Sequence, residues 1–147
     1  MPASRDIEIL NLVNTIMHQA TARMQRSLRE AGLGLAAMEA RTLRFVARNP
    51  GCTQNDIVRE SGRDKAQIAR IIKTLLERGQ VERLGNEAGE KRQRLSLTAN
   101  GAETHAEAEG LRAAAAKDLL RDLSQTERRQ LEGLLRRMSH GPTSDPG

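Results

Sequence analysis

A chain of 147 residues is one domain's length, enough to bury a core and too short to hold a separate catalytic domain beside it. Lys and Arg number 24 against 19 Asp and Glu, and the resulting net charge of +5 points to an anionic partner. One cysteine, Cys52, excludes an internal disulfide and a cysteine-rich zinc site, and one aromatic residue, Phe45, excludes the stacking platforms of single-strand and RNA binders.

The opening MPASRDIEIL lacks the apolar core of a signal peptide, and no run approaches the roughly 18 apolar residues of a membrane span. A cytoplasmic protein is expected. From Ser4 to Ala31 the apolar residues Leu10, Val13, Met17, Ala20, Met24 and Leu28 recur at spacings of three and four, with Ile9, Leu12 and Ile16 widening the stripe. This predicts one long amphipathic helix over 4–31, with more apolar surface than a small domain can cover, so part of the stripe should meet another helix of this chain or of a second copy. Ala31, Gly32, Leu33 and Gly34 break the pattern. A second helix is predicted over 36–48, with Ala40, Leu43 and Val46 or Ala47 facing inward, stopped at Asn49, Pro50 and Gly51. Cys52 then sits beside an apolar segment, where a small buried hydrophobe is the plainer reading than a reactive thiol.

Thr53 can cap a short helix that carries Asp56, Ile57 and Val58 and ends at Ser61 and Gly62. Asp64 can cap the next, with Gln67 at the capping-box position and Ile68, Ile71, Ile72, Leu75 and Leu76 as its buried stripe. Two short helices joined at a glycine are the signature of a helix-turn-helix. The outer face of the second helix carries Lys65, Gln67, Arg70, Lys73 and Arg78. Gln can pair with adenine and Arg with guanine, so Gln67 and Arg70 are the candidate base readers; the alternative for Gln67 is a purely structural cap. Gly79 suits a helix end, Val81 to Leu84 alternate as a strand, residues 85–89 form a loop, and Lys91 to Leu97 return with Leu95 and Leu97 inward and Arg92 and Arg94 outward. Between Arg63 and Leu97 nine basic residues face five acids, which accounts for +4 of the net charge. A cationic hairpin beside a recognition helix can put an arginine into the minor groove.

Thr98 caps a predicted helix over 99–121, and Ser124 with Glu127 begins a last one whose stripe is Leu131, Leu134, Leu135 and Met138. Residues 140–147 read as a flexible tail. His18, His105 and His140 have no neighbouring ligand pattern; no metal, no cofactor and no catalytic constellation is expected. The fold class predicted is mainly α with a small β-wing: a winged helix-turn-helix over 33–97 inside a single domain of 1–147.

The segments TQNDIVRESGRDKAQIARIIKTLLERGQVERL and EKRQRLSLTANG resemble the MarR family of winged helix-turn-helix transcriptional regulators. The likeness implies a homodimeric, sequence-specific binder of double-stranded DNA, a repressor released by a small-molecule effector, acting on a pseudo-palindromic operator. It implies DNA contacts from Thr53, Gln54, Arg63, Lys65, Ala66, Gln67, Arg70, Lys73, Lys91, Arg92 and Arg94, with Glu90 bracing Arg92. It further implies dimerisation through 4–31 and 99–139, with Leu10, Val13, Leu131, Leu134, Leu135 and Met138 at the core, and an effector pocket lined by Met17, Met38, Ala40 and Leu111. The sequence departs from the family where Ala40 replaces an aromatic residue, Arg63 an apolar one, and Ala66 and Gln67 a Ser and a Thr. Two alternatives remain open at the level of sequence: a winged-helix protein-interaction module, and a constitutive DNA binder with no ligand switch.

Overall fold

The computed structural model describes residues 2–85 and 94–140. Helix α1 (Pro2–Glu30) starts on a proline, whose missing N–H costs nothing in a first turn. Its second half, from Met24 to Leu28, packs into the body of the chain, while Ile7, Ile9, Leu10, Leu12, Ile16 and Met17 along its first half stay exposed. Helix α2 (Ala37–Arg48) begins one residue later than the sequence predicts. Ala36 is its N-cap; with no side-chain oxygen to offer, its own N–H is held at 2.9 Å by the Glu39 carboxylate. Ala40, Leu43 and Val46 face inward as expected.

Helix α3 (Gln54–Ser61) opens on a reciprocal capping box: Thr53 Oγ1 accepts from Asp56 N–H at 3.2 Å, and Asp56 accepts from Thr53 N–H at 2.9 Å. The second bond holds the Asp56 carboxyl below the usual carboxylate range. Gly62 ends the helix with φ of 68°, a left-handed conformation that costs other residues about 1 kcal/mol or more and that turns the chain sharply into helix α4 (Lys65–Glu77).

Strands β1 (Val81–Leu84) and β2 (Arg94–Leu97) pair antiparallel, with Val81 opposite Leu97 and Leu84 opposite Arg94. The alternation predicted for β1 yields one anchored residue: Val81 is buried, whereas Arg83 on the same face is exposed because the strand has already left the body of the chain. An addition the sequence did not announce is a single bridge between Cys52 and Leu95, with Gly51 N–H donating to Leu95 O at 2.8 Å and Leu95 N–H to Cys52 O at 2.8 Å. It fixes the root of the hairpin to the start of α3. The Cys52 thiol is buried there, and desolvation pushes its pKa up, which keeps it protonated and agrees with the inert reading. Helix α5 (Ala99–Leu119) is capped by Thr98 and ends two residues short of the predicted Arg121; α6 (Gln125–Ser139) carries the predicted Ser124–Glu127 capping box.

Two apolar clusters hold these elements together. The inner one joins Leu28, Leu35, Ala40, Leu43, Leu75, Val81 and Ala108, and the outer one Val46, Cys52, Ile57, Ile68, Ile72 and Leu95. Helix α4 belongs to both. Ile68 and Leu75 are each 0% exposed, and each such side chain contributes roughly 1.5–3 kcal/mol by leaving water. Because Ile71 and Leu76 pack against both clusters, α4 cannot slide or roll without disturbing the seat of α1 and the root of the hairpin together.

Candidate nucleic-acid interface

The burial of Ile68, Ile72 and Leu75 determines what α4 shows to solvent. At 100° per residue, Ala66, Arg70, Lys73 and Glu77 lie opposite that stripe, with Lys65 and Gln67 on its flanks. Lys65, Ala66, Arg70 and Lys73 are exposed, and Gln67 is half-buried. Among the described residues none of the three cations is paired with an acid, so their charge is available to a ligand. Asp64 caps the helix by accepting Gln67 N–H at 2.8 Å. The return bond of a capping box is not made, because the Gln67 amide does not reach the Asp64 N–H. The structural role weighed for Gln67 is therefore held by its backbone alone, and its side chain keeps its donor and acceptor.

Arg63 is exposed in the turn before α4, and Arg94 is exposed at the start of β2 on the face that Leu84 shares. Thr53 is half-buried with its hydroxyl engaged in the cap, while Gln54 is half-buried at the first position of α3. Glu90, Lys91 and Arg92 lie outside the described residues, and with them the expected bracing of Arg92 by Glu90. Arg78 departs from its expected place. Instead of joining the cationic face, its guanidinium donates to Gly34 O at 2.8 Å and to Glu39 Oε1 at 3.0 Å, which ties the end of α4 to the connection between α1 and α2. Nothing in the sequence signals this pairing, whose partners lie 44 and 39 residues away along the chain; only the fold brings them together.

The four residues expected to line an effector pocket differ in exposure. Ala40 is buried in the inner cluster, with Leu111 packed against that cluster. Met38 is half-buried, and Met17 is 57% exposed on the outer half of α1. Of the proposed dimer residues, Leu10, Val13, Leu134, Leu135 and Met138 are exposed and Leu131 is half-buried. They form bare apolar stripes on α1 and α6. No helix among the described residues is long and apolar enough to cross a membrane.

Residues 33–93 match the MarR family. Over 94 residues the chain is 29% identical to the HTH-type transcriptional regulator BilQ of Clostridium symbiosum; the match takes in 64% of this chain and spans 65% of that relative's length. The crystal structure of the transcriptional regulator SlyA superposes with a TM-score of 0.78 at 27% identity, covering 89% of this chain and 91% of that one. The Mycobacterium tuberculosis MarR family protein Rv2887, solved in complex with salicylic acid, shares the fold with a TM-score of 0.74 at 21% identity, over 86% of this chain and 93% of that one.

Proposed function

We propose that the chain, whose residues 33–93 match the MarR family and whose fold superposes on that of the transcriptional regulator SlyA, is a homodimeric, sequence-specific double-stranded DNA-binding regulator that represses by occupying its operator. The observation that carries this reading is the outer face of α4: among the described residues Arg70 and Lys73 have no acidic partner, on a helix whose opposite side is buried. A rigid cationic helix enters a major groove, whereas a protein-docking helix would present an apolar face there. In this reading Arg70 and Gln67 touch base edges. Lys65, Lys73, Arg63 and Arg94 lie along phosphates, with Thr53 and Gln54 near the backbone at the start of α3, and Lys91 and Arg92 take the wing to the minor groove. Two copies related by a two-fold axis would set half-sites roughly 10 base pairs apart.

The test is a selection of bound duplexes from random DNA, followed by titration of the selected site. Arg70→Ala should cost about 1–3 kcal/mol and relax the preference at one base position, and Arg92→Ala should lose most at sites flanked by A·T tracts. Uniform weakening across all sequences by either variant would reassign that arginine to a phosphate.

For release of the repressor we propose a small anionic effector entering between the dimer helices and the winged unit, against the aliphatic side chains Met38 and Leu111. The Rv2887 complex supplies the first compound to assay. Salicylate added to the protein–operator complex should dissociate it in a dose-dependent way; a complex that withstands salicylate and related aryl carboxylates would identify a constitutive binder instead.

A further inference from the structure

The far end of α4 is gripped by a segment that takes no part in reading DNA. Gly79, with φ of 69°, closes the helix: its N–H donates to Leu76 O at 3.0 Å and the Gln80 N–H to Leu75 O at 2.9 Å, so the C-cap residue Arg78 moves with the helix as one piece. The Arg78 guanidinium then reaches across to Gly34 O and Glu39 Oε1, and the same Glu39 oxygen accepts the Ala36 N–H at 2.9 Å. One carboxylate therefore holds the start of α2 and the end of α4 together. Between this point and α1 lie Gly32 and Gly34, at φ of 67° and 61°. Glycine links hold little direction by themselves, and the Arg78 bonds brace the connection from outside.

The Arg78 side chain is 41% exposed and that of Glu39 15%, so solvent screens the pair and its contribution to stability is small. Its consequence is geometric. Arg70 precedes Arg78 by eight residues, about 12 Å along the helix, and a tilt of about 5° about the held end would displace it by about 1 Å, more than a binding contact tolerates. Helix α1 carries the bare apolar stripe assigned to the second copy and α4 carries the readers, so the pair lies on the path that sets one against the other. We propose that Arg78 and Glu39 are positioning residues that hold α4 at a fixed angle to α1 and thereby fix the half-site spacing that the dimer accepts. This inference rests on the operator reading above, and it adds to that reading two residues that act without touching a base or a phosphate.

The full chain is titrated with the duplex selected from random DNA and with duplexes whose half-sites stand one base pair closer or farther apart. The wild-type protein should bind the shifted duplexes about a hundredfold more weakly than the matched one. Arg78→Met, which keeps the aliphatic stem and removes the donors, should lower that ratio to about tenfold and weaken the matched site, because a helix free to tilt reaches other spacings at the cost of preorganisation. Glu39→Gln still offers an oxygen to the Ala36 N–H, so α2 keeps its start, and the loss of charge should bring the ratio to about thirtyfold. A wild-type chain that selects no duplex overturns the operator reading and the spacing role with it. A wild-type chain that selects one, with both variants keeping its spacing ratio, overturns this inference alone, and a lower urea midpoint beside that unchanged ratio would make the pair merely structural. Equal weakening at every spacing in Arg78→Met, with a salt slope reduced by about one and no loss in Glu39→Gln, overturns it as well, by making Arg78 a phosphate contact.

Discussion

Leu134→Asp combined with Leu135→Asp is expected to yield a monomer that no longer retards an operator duplex. Both leucines are open in the single chain, 55% and 45% exposed, so the substitutions remove nothing from its core and leave its helical content and α4 intact. In the proposed dimer their effect falls on the contact between copies. Two-fold symmetry repeats each change, and burying a leucine is worth roughly 1.5–3 kcal/mol while burying an unpaired carboxylate is costly, so the dimer should weaken by at least about four orders of magnitude. Light scattering reads the mass and gel retardation the binding. A dimer of unchanged mass would remove α6 from the interface, and a monomer that binds with full affinity would break the link between dimerisation and operator recognition.

Gly101→Ala has the largest effect expected from removing no contact at all. A Cβ at this position would lie 1.8 Å from Gln80 O and 2.8 Å from Gln80 C, both backbone atoms. Gln80 cannot retreat cheaply, since its N–H donates to Leu75 O at 2.9 Å and its carbonyl accepts Thr98 N–H at 3.1 Å. Gln80 is itself buried, and Val81 beside it is part of the inner cluster. We expect a loss of about 3 kcal/mol or more, read as a fall in the urea midpoint at fixed protein concentration. The control is Gly110→Ala on the same helix, where a Cβ meets nothing within 4 Å; it should be neutral or stabilising by up to about 1 kcal/mol. Equal responses from the two glycines would show that helix propensity, and not the close approach to Gln80, decides the outcome.

The contrast between these glycines shows where sequence reading stops. In the sequence both are glycines tolerated within a predicted helix. Their difference lies in which backbone passes nearby, and that depends on how the turn after α4 is laid against α5. Arg78 teaches the same lesson. Its helix position put it with the other cations, yet the connection between α1 and α2 comes close enough to take it as a hydrogen-bond donor. Ala40, which the sequence places inward, shares its cluster with Leu28 and Ala108 from two other helices, a grouping that the sequence does not announce.

What the sequence determined by itself were the properties that depend on neighbours along the chain. The stripe of Ile68, Ile72 and Leu75, the caps at Thr53, Asp64, Thr98 and Ser124, and the turn at Gly62 depend on spacings of three or four residues, and those spacings fix both the helices and the face each must bury. The cationic face of α4 followed directly, since a helix with one side committed to the core has the other left over. Only the tertiary structure decided how far-apart residues meet: the bridge from Cys52 to Leu95, the lock of Arg78 on Gly34 and Glu39, and the close approach of Gly101 to Gln80. These contacts join separate elements, and their geometry follows from the packing of whole helices against two shared apolar clusters, which no local spacing encodes.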